Sequence, residues 1–520
     1  MEKIDFSGEE KLINLAGLNN HSVYLVKVNK GSARVPHKNS GDVLNAATLE
    51  EYPAGTWRNT VSVTSAPLPF DENAPVSGIY TGSSGETIIR YDFNPGLNSD
   101  LNMRSAARNT SVAPPNYQVS DTRGFWTQDA TGRKFTMIPA TLRATRDHCN
   151  IWVADTNYSD GDKKDNTITA SDAKELAEKF DIIYEKETAV FGYEYGGGPD
   201  SSAPHGGVDG DPKVQIFVYD IFGDFFKGQN GGVFGYFWPG DEQEITNSNK
   251  AEIFYIDAHF TSLSPAGMYS TLAHEFQHMI HYNQKFMTKG KNSGIWYNEM
   301  LSMLAEDLID PFIGIEATKD GHPIENRIPR FLDKYFADPT VWSSGSDVYT
   351  SYAAAYALGA YLVRNFGGVG LVKRIMFNDE IDIASIDEAL NSDVNPRKDE
   401  INSLSAALSR YGEALLFNQP EEGDASVSRP SGVLSFNNTV KTDEYEFTGF
   451  DLFSVKKESS LTSREKSTGP VIWDLSGKHT LESRSVLLLS SSGWQGVTGD
   501  ISIKLAKPAD PNVELYIIVR

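Results

Sequence analysis

The sequence predicts a multidomain α+β protein, β-rich at both ends, with a helical middle built around a metal site. Three observations carry this prediction. Over roughly the first 115 residues, and again beyond about 419, apolar residues alternate or form short blocks bounded by Gly, Pro, Asn and Ser. From about 261 to 418 they recur at helical spacing, as in Met300, Leu301, Leu304 and Leu308. Within that region the stretch 271–280 carries H-E-x-x-H at His274, Glu275 and His278. The expected divisions are an N-terminal β region (1–115), a central domain (116–418, β-rich to about 260 and helical over 261–418) and a C-terminal β-sandwich (419–520).

In the first region, 23–29 is a strand ended by Lys30 and Gly31, and 88–93 is a second, ended by Asn94, Pro95 and Gly96. The Ser/Asn/Gly-rich stretch 98–115 reads as a linker. Nothing here carries chemistry, and the expectation is an accessory β domain or the remnant of a pro-region. The central domain opens with short strands at 134–138 and 141–145 and an apolar one at 150–154. In the loop that follows, Asp160, Asp162 and Asp165 could gather oxygens around calcium, which takes six to eight of them. The loop lacks EF-hand spacing and a closing Glu, and acidic loops are mostly solvated. Thr169 and Asp172 have capping-box spacing for a helix presenting Leu176, Phe180, Ile183 and Tyr184 on one side. A strand at 214–219 precedes the Gly-rich stretch 228–240. That stretch has neither the Lys-Ser/Thr of a phosphate loop nor a dinucleotide fingerprint, and reads as a bent connection packing aromatics. The strand 251–257 leads directly into the metal helix.

On that helix His274 and His278 lie one above the other, because residues four apart share a face. Two imidazoles so placed can close on one zinc ion, and Glu275 is placed to take a proton from water rather than to bind metal. A catalytic site needs a third ligand. Glu299, in the first turn of the next helix, is favoured, with Glu306 and His281 as rivals. His281 is tethered to the same helix and reads as structural or rim-exposed; Glu306 reads better as an outer acceptor for a histidine N–H.

H-E-x-x-H followed by Asn298, Glu299 and Ser302 resembles the gluzincin branch of zinc peptidases. The wording of 274–283 and 296–307 resembles the hyicolysin family of bacterial neutral metallopeptidases. The resemblance implies a thermolysin-like core, with His274, His278 and Glu299 as zinc ligands and Glu275 as general base. In the thermolysin pattern an Asp follows the ligand Glu by four residues; here that position is Met303, so the outer partner must be another group, Glu306 or Asp307. The metzincin pattern fails at His281 and Gln284, where it requires Gly and His. The helix 351–368 resembles a gluzincin aminopeptidase helix that ends in Gly-Gly and whose leading Tyr hydrogen-bonds the transition-state oxyanion. Counted back from Gly367 and Gly368 this position is Tyr352, with Ala355 where Gly is expected; Tyr356, Tyr349 and His322 are substitutes.

In the tail, 420–424 is a linker, and 433–436, 485–489, 501–505 and 513–519 are strands separated by Ser/Gly/Pro turns, which suits a sandwich. The strand 23–29 resembles 513–519 in pattern, so the two ends are expected to share a sheet. Across all 520 residues, 47 Lys and Arg against 70 Asp and Glu give a net charge of −23, which argues against nucleic acid or an anionic membrane as partner. Cys149, alone, forms no internal disulfide, and no apolar run reaches membrane-spanning length. The first eight residues hold no signal-peptide core, so the protein is either cytosolic or begins after a removed leader; the resemblance favours a secreted or cell-envelope protein. The expected activity is zinc-dependent cleavage of internal peptide bonds. A zinc aminopeptidase and an adhesin-like binding protein with a dead zinc domain are the alternatives.

Overall fold

The computed structural model describes residues 1–46, 76–81, 87–91, 115–129, 134–162, 166–199, 205–223, 231–317, 321–343, 348–417, 432–455 and 469–520. The expected linkers lie outside these residues, apart from Pro115, as does Asp165 of the acidic loop.

The chain starts with β1 (Glu2–Lys3), β2 (Glu10–His21), β3 (Val23–Asn29) and β4 (Val43–Ala46). β5 (Val76–Thr81) and β6 (Thr87–Tyr91) pair antiparallel. The central sheet follows, from β7 (Thr122–Gln128), β8 (Phe135–Thr145), β9 (Cys149–Ala154) and β10 (Val214–Tyr219). The stretches 134–138 and 141–145 therefore form one strand rather than two. Pro139 is tolerated because β9 pairs only from Ala140 onward, so among the described residues the position lacking an N–H has β7 on one side and no strand on the other. The described residues of the Gly-rich stretch include β11 (Gly231–Val233), paired with β6, and β12 (Gly235–Phe237), and β13 (Ile253–Asp257) completes the set. The order is β12-β13-β10-β9-β8-β7, with β9, β10 and β13 parallel and the rest antiparallel. Both faces are covered, which is why β9, β10 and β13 are buried at every position.

One face packs on helices. The crossover from β9 to β10 carries α1 (Ala170–Phe191), started by the Thr169–Asp172 capping box. After β13 come the short α2 (Ala258–Leu263), α3 (Pro265–His281) and α4 (Ile295–Ile309). α3 widens into a π-helical turn over Tyr282–Met287. α5 (Pro323–Lys334) and α6 (Val348–Asn365) close the core, with α3 packed on α1 and α4, and α4 on α6. Phe180 of α1 meets Phe276 of α3 edge-on at 5.0 Å.

The tail adds the hairpin β14 (Val440–Thr442) and β15 (Tyr445–Phe447), then β16 (Trp473–Asp474), β17 (Ser485–Ser490), β18 (Val497–Ala506) and β19 (Val513–Val519). The expected strand at 433–436 does not form. Asn365 instead exchanges side-chain hydrogen bonds with the Ser435 backbone (3.0 and 3.1 Å), while Leu434 and Phe436 enter the helical core. The two ends do share a sheet, ordered β1-β19-β3-β17-β16, and a second sheet, β2-β18-β4, also joins them. Leu25, Leu487, Leu515 and Ile517 from the first sheet meet Leu18, Ile501, Ile503 and Leu505 from the second. The opposite face of the first sheet, Val26, Val28, Leu488 and Ile518, belongs to the helical core. There the Leu488 N–H donates to Tyr335 Oη at 3.0 Å.

Candidate metal centre

α3 is buried from Met268 to His281 apart from Tyr269, and its buried polar residues include Ser270, Thr271, Gln277 and His281 beside the three that concern the metal. Those three are His274, Glu275 and His278. Glu299 enters from the fifth residue of α4, at the start of its second turn rather than in the first turn as expected, and the three donor atoms of His274, His278 and Glu299 lie within 4.8 Å of one another. Glu299 Oε2 is 3.3 Å from His274 Nε2, and its Oε1 is 3.7 Å from His278 Nε2. A tetrahedral zinc site with bonds of about 2.0–2.1 Å has donor–donor edges of about 3.3 Å. The donor set therefore fits a zinc ion in number, type and spacing.

The outer ring nitrogens are engaged, which aims the inner ones at this point. His274 Nδ1–H donates to Glu306 Oε1 at 2.5 Å. His278 Nδ1 is 2.9 Å from Ser302 Oγ, whose own proton goes to Gln277 Oε1 at 2.5 Å, so the imidazole is the donor. Each ring thus presents Nε2 as a lone pair. Glu306 also lies 3.1 Å from Ser270 Oγ and 3.9 Å from Arg327 Nη2. Glu275, 3% exposed, lies beside β12, where a Cβ on Gly235 would stand 3.2 Å from Glu275 Cγ and 2.7 Å from the Tyr255 carbonyl oxygen. A glycine there lets an edge strand press against the helix.

The rivals fall elsewhere. His281 is buried, its Nε2 2.7 Å from Ser293 Oγ; burial, with Lys285 and His278 nearby, holds its pKa down at about 3. Asp307 points away from the histidines. It takes a bidentate Arg364 (2.8 and 2.9 Å) and the Tyr356 hydroxyl (3.0 Å), while its carbonyl oxygen receives His322 Nε2 (3.3 Å). Tyr356 and His322 are thereby committed to Asp307. Tyr352, one turn before Tyr356, is buried, with Trp342 edge-on at 4.7 Å and the Arg327 guanidinium 5.4 Å from its ring centre. Arg327 links it to Glu306 and so to His274. In the acidic loop Asp160 and Asp162 are exposed.

Ser302, Gln277, Arg327 and Arg364 were not readable as site residues. Only Ser302 left a signal, as the last residue of the Asn298–Ser302 wording.

The family profile described as Peptidase M30 matches residues 129–418, more than half of the chain and all of the residues above. The chain belongs to the Peptidase M30 family. It is also similar to the neutral metalloprotease ShpI of Staphylococcus hyicus, at 30% identity over 328 residues, 59% of this chain and 66% of that relative. The match thus spans a little under two thirds of the relative's length. In this M30 chain the three groups that could hold a metal ion, Glu275 and the groups that orient them come from α3 and α4, inside the matched region.

Proposed function

We propose that this M30 chain is a zinc-dependent endopeptidase with a gluzincin, thermolysin-like core. The observation that carries the reading is the trio His274, His278 and Glu299, with both imidazoles turned Nε2-inward by Glu306 and Ser302. A zinc ion held there would polarise the scissile carbonyl and bring the pKa of a coordinated water towards ~7. Glu275 takes the proton of the attacking water and returns it to the departing amide nitrogen, a transfer worth about 10²–10⁴-fold. Tyr352 is the group proposed for the oxyanion; of its three substitutes, Tyr356 and His322 are tied to Asp307, and Tyr349 stays as the rival. Among the described residues β12 has one strand neighbour, β13. Its other edge can pair with an extended peptide, an arrangement that suits internal bonds of unfolded protein segments. The name of the staphylococcal relative supports the metalloprotease reading. Among the described residues no helix is long and apolar enough to cross a membrane, and secretion or attachment at the cell envelope belongs to the same proposal.

The test is metal content and casein hydrolysis, run beside Glu275→Ala. One zinc per chain in both proteins, with hydrolysis lowered at least about 100-fold in the variant, is expected. Zinc bound with no cleavage of proteins by the parent would sink the activity. Cleavage confined to short peptides with free amino termini would replace endopeptidase by aminopeptidase.

A further inference from the structure

The terminal sandwich also holds the segment that follows α5. Ser483 and Arg484 immediately precede β17. Ser483 Oγ donates to Asp338 Oδ2 at 2.5 Å, and a single atom of Arg484, Nη1, reaches both Asp338 Oδ2 (3.2 Å) and Thr340 Oγ1 (3.1 Å). Thr340 closes the turn from within, its N–H and its hydroxyl each donating to Asp338 Oδ1 at 2.8 Å. Asp338 is buried, so its charge depends on these donors. Arg484 takes φ +43°, a left-handed conformation that residues other than Gly seldom adopt, and its N–H is held by the Gly31 carbonyl oxygen at 3.0 Å. Strain of that kind persists where the surroundings fix it, and here Ser483 and Arg484 converge on one carboxylate.

The other end of the segment is pinned to α6. The Ser343 N–H donates to Ser351 Oγ at 3.0 Å, and Ser351 Oγ donates to the Val341 carbonyl oxygen at 3.3 Å. Trp342 stands between these two and meets Tyr352, the chain neighbour of Ser351, edge-on at 4.7 Å. The Arg327 guanidinium of α5 lies 5.4 Å from the centre of the same ring. Trp342 and Arg327 thus set the aim of the Tyr352 ring. Arg327 is on a helix; Trp342 is on a non-helical segment whose anchor is the Asp338 turn. A donor aimed at developing charge is sensitive to such support, because a misplacement of about 1 Å can cost about 10²-fold in rate.

We propose that Arg484 of the terminal sandwich is a positioning residue for the reaction. Through Asp338 and Thr340 it holds Trp342 against Tyr352 and so fixes the direction of the phenol, from a point in the chain beyond the region 129–418 that the family profile matches. The proposal rests on the reading of Tyr352 as the oxyanion group.

The experiment measures zinc content, and kcat and KM for cleavage of an internally quenched peptide, on the full chain. Arg484→Ala is expected to keep one zinc per chain and a KM within about twofold of the parent's, while kcat falls at least about tenfold. Arg484→Lys should recover most of the loss, since the contact uses one nitrogen that an ammonium can replace. Tyr352→Phe should itself lower kcat by about 10²–10³-fold, and adding Arg484→Ala to it should lower kcat no further. Arg34→Ala, which removes only an exposed pair with Glu482, should leave kcat unchanged. A parental kcat in Arg484→Ala, or losses that multiply in the double variant, would overturn the proposal and leave the role of Tyr352 standing. A parental kcat in Tyr352→Phe would instead remove the oxyanion role, and the proposal with it. Should Arg484→Ala not fold, Thr340→Val, which keeps the shape of the side chain but takes away its hydroxyl, replaces it with the same outcomes.

Discussion

His274 and His278 sit one turn apart, yet their outer nitrogens are held by groups of different strength, a carboxylate for one and a hydroxyl for the other. A hydrogen bond to an ionised acceptor is roughly twice as strong as a neutral one. Glu306→Ala is therefore expected to weaken zinc binding more than Ser302→Ala, with both within about 10–100-fold. Competition against a chromophoric chelator measures this, and equal losses would show that the carboxylate has no special part. Glu306 was legible as an outer acceptor because it falls two turns after Glu299 on one helical face. Which histidine it would meet was not legible, since that depends on how α3 and α4 cross. Asp307, its chain neighbour, shows the limit: its partner Arg364 is 57 positions away, and no local pattern joins them.

Among elements, α4 completes the site that α3 begins, because it carries Glu299, and α6 grips it from behind. Two contacts of this grip can be tested separately. The Asp307–Arg364 pair is fully buried, so Asp307→Ala leaves a guanidinium without its counter-charge and should cost about 3–5 kcal/mol. Denaturant unfolding measures it, and Asp307→Leu with Arg364→Met should recover much of the loss. At Gly359 an added Cβ would stand 2.8 Å from Met300 Cγ, beside Glu299 in the chain. Gly359→Ala should push the helices apart at a cost of about 1–3 kcal/mol and lower kcat through displacement of Glu299. Unchanged kcat in a destabilised protein would separate the packing from the site. The helical spacing of α3, α4 and α6 was plain in the sequence. α5 lies within the stretch 261–418 expected to be helical but was not singled out there; Pro323 starts it and Pro329 is accommodated inside it.

At the scale of the whole molecule, the terminal sandwich is bound together across the length of the chain. Glu514 of β19 takes Lys3 at 2.6 Å and Lys30 at 2.7 Å. Burial pushes this carboxyl up, but the hydrogen bonds from Lys3, Lys30 and Tyr516 outweigh it and hold the pKa at about 2. A depressed carboxyl stabilises the fold above its unfolded value of 4.5, and the contribution disappears as pH falls from there towards 2. Glu514→Gln should flatten the acid limb of thermal stability between about pH 4.5 and 2, and an unchanged limb would assign the acid sensitivity to other groups. That the ends share a sheet was legible from the matching patterns of β3 and β19. β2 was not, because Gly17, Asn19 and Asn20 interrupt its alternation, and the register with β18 shifts where they fall. This closure has a consequence during synthesis. Both hydrogen-bonded neighbours of β3, β17 and β19, lie near the other end, and Asn29 contacts Glu482 across 453 positions. At 5–20 residues per second the ribosome needs about 20–90 s to deliver them. For that interval the nascent protein carries an apolar strand with two open edges, a standing claim on any chaperone that binds extended chains.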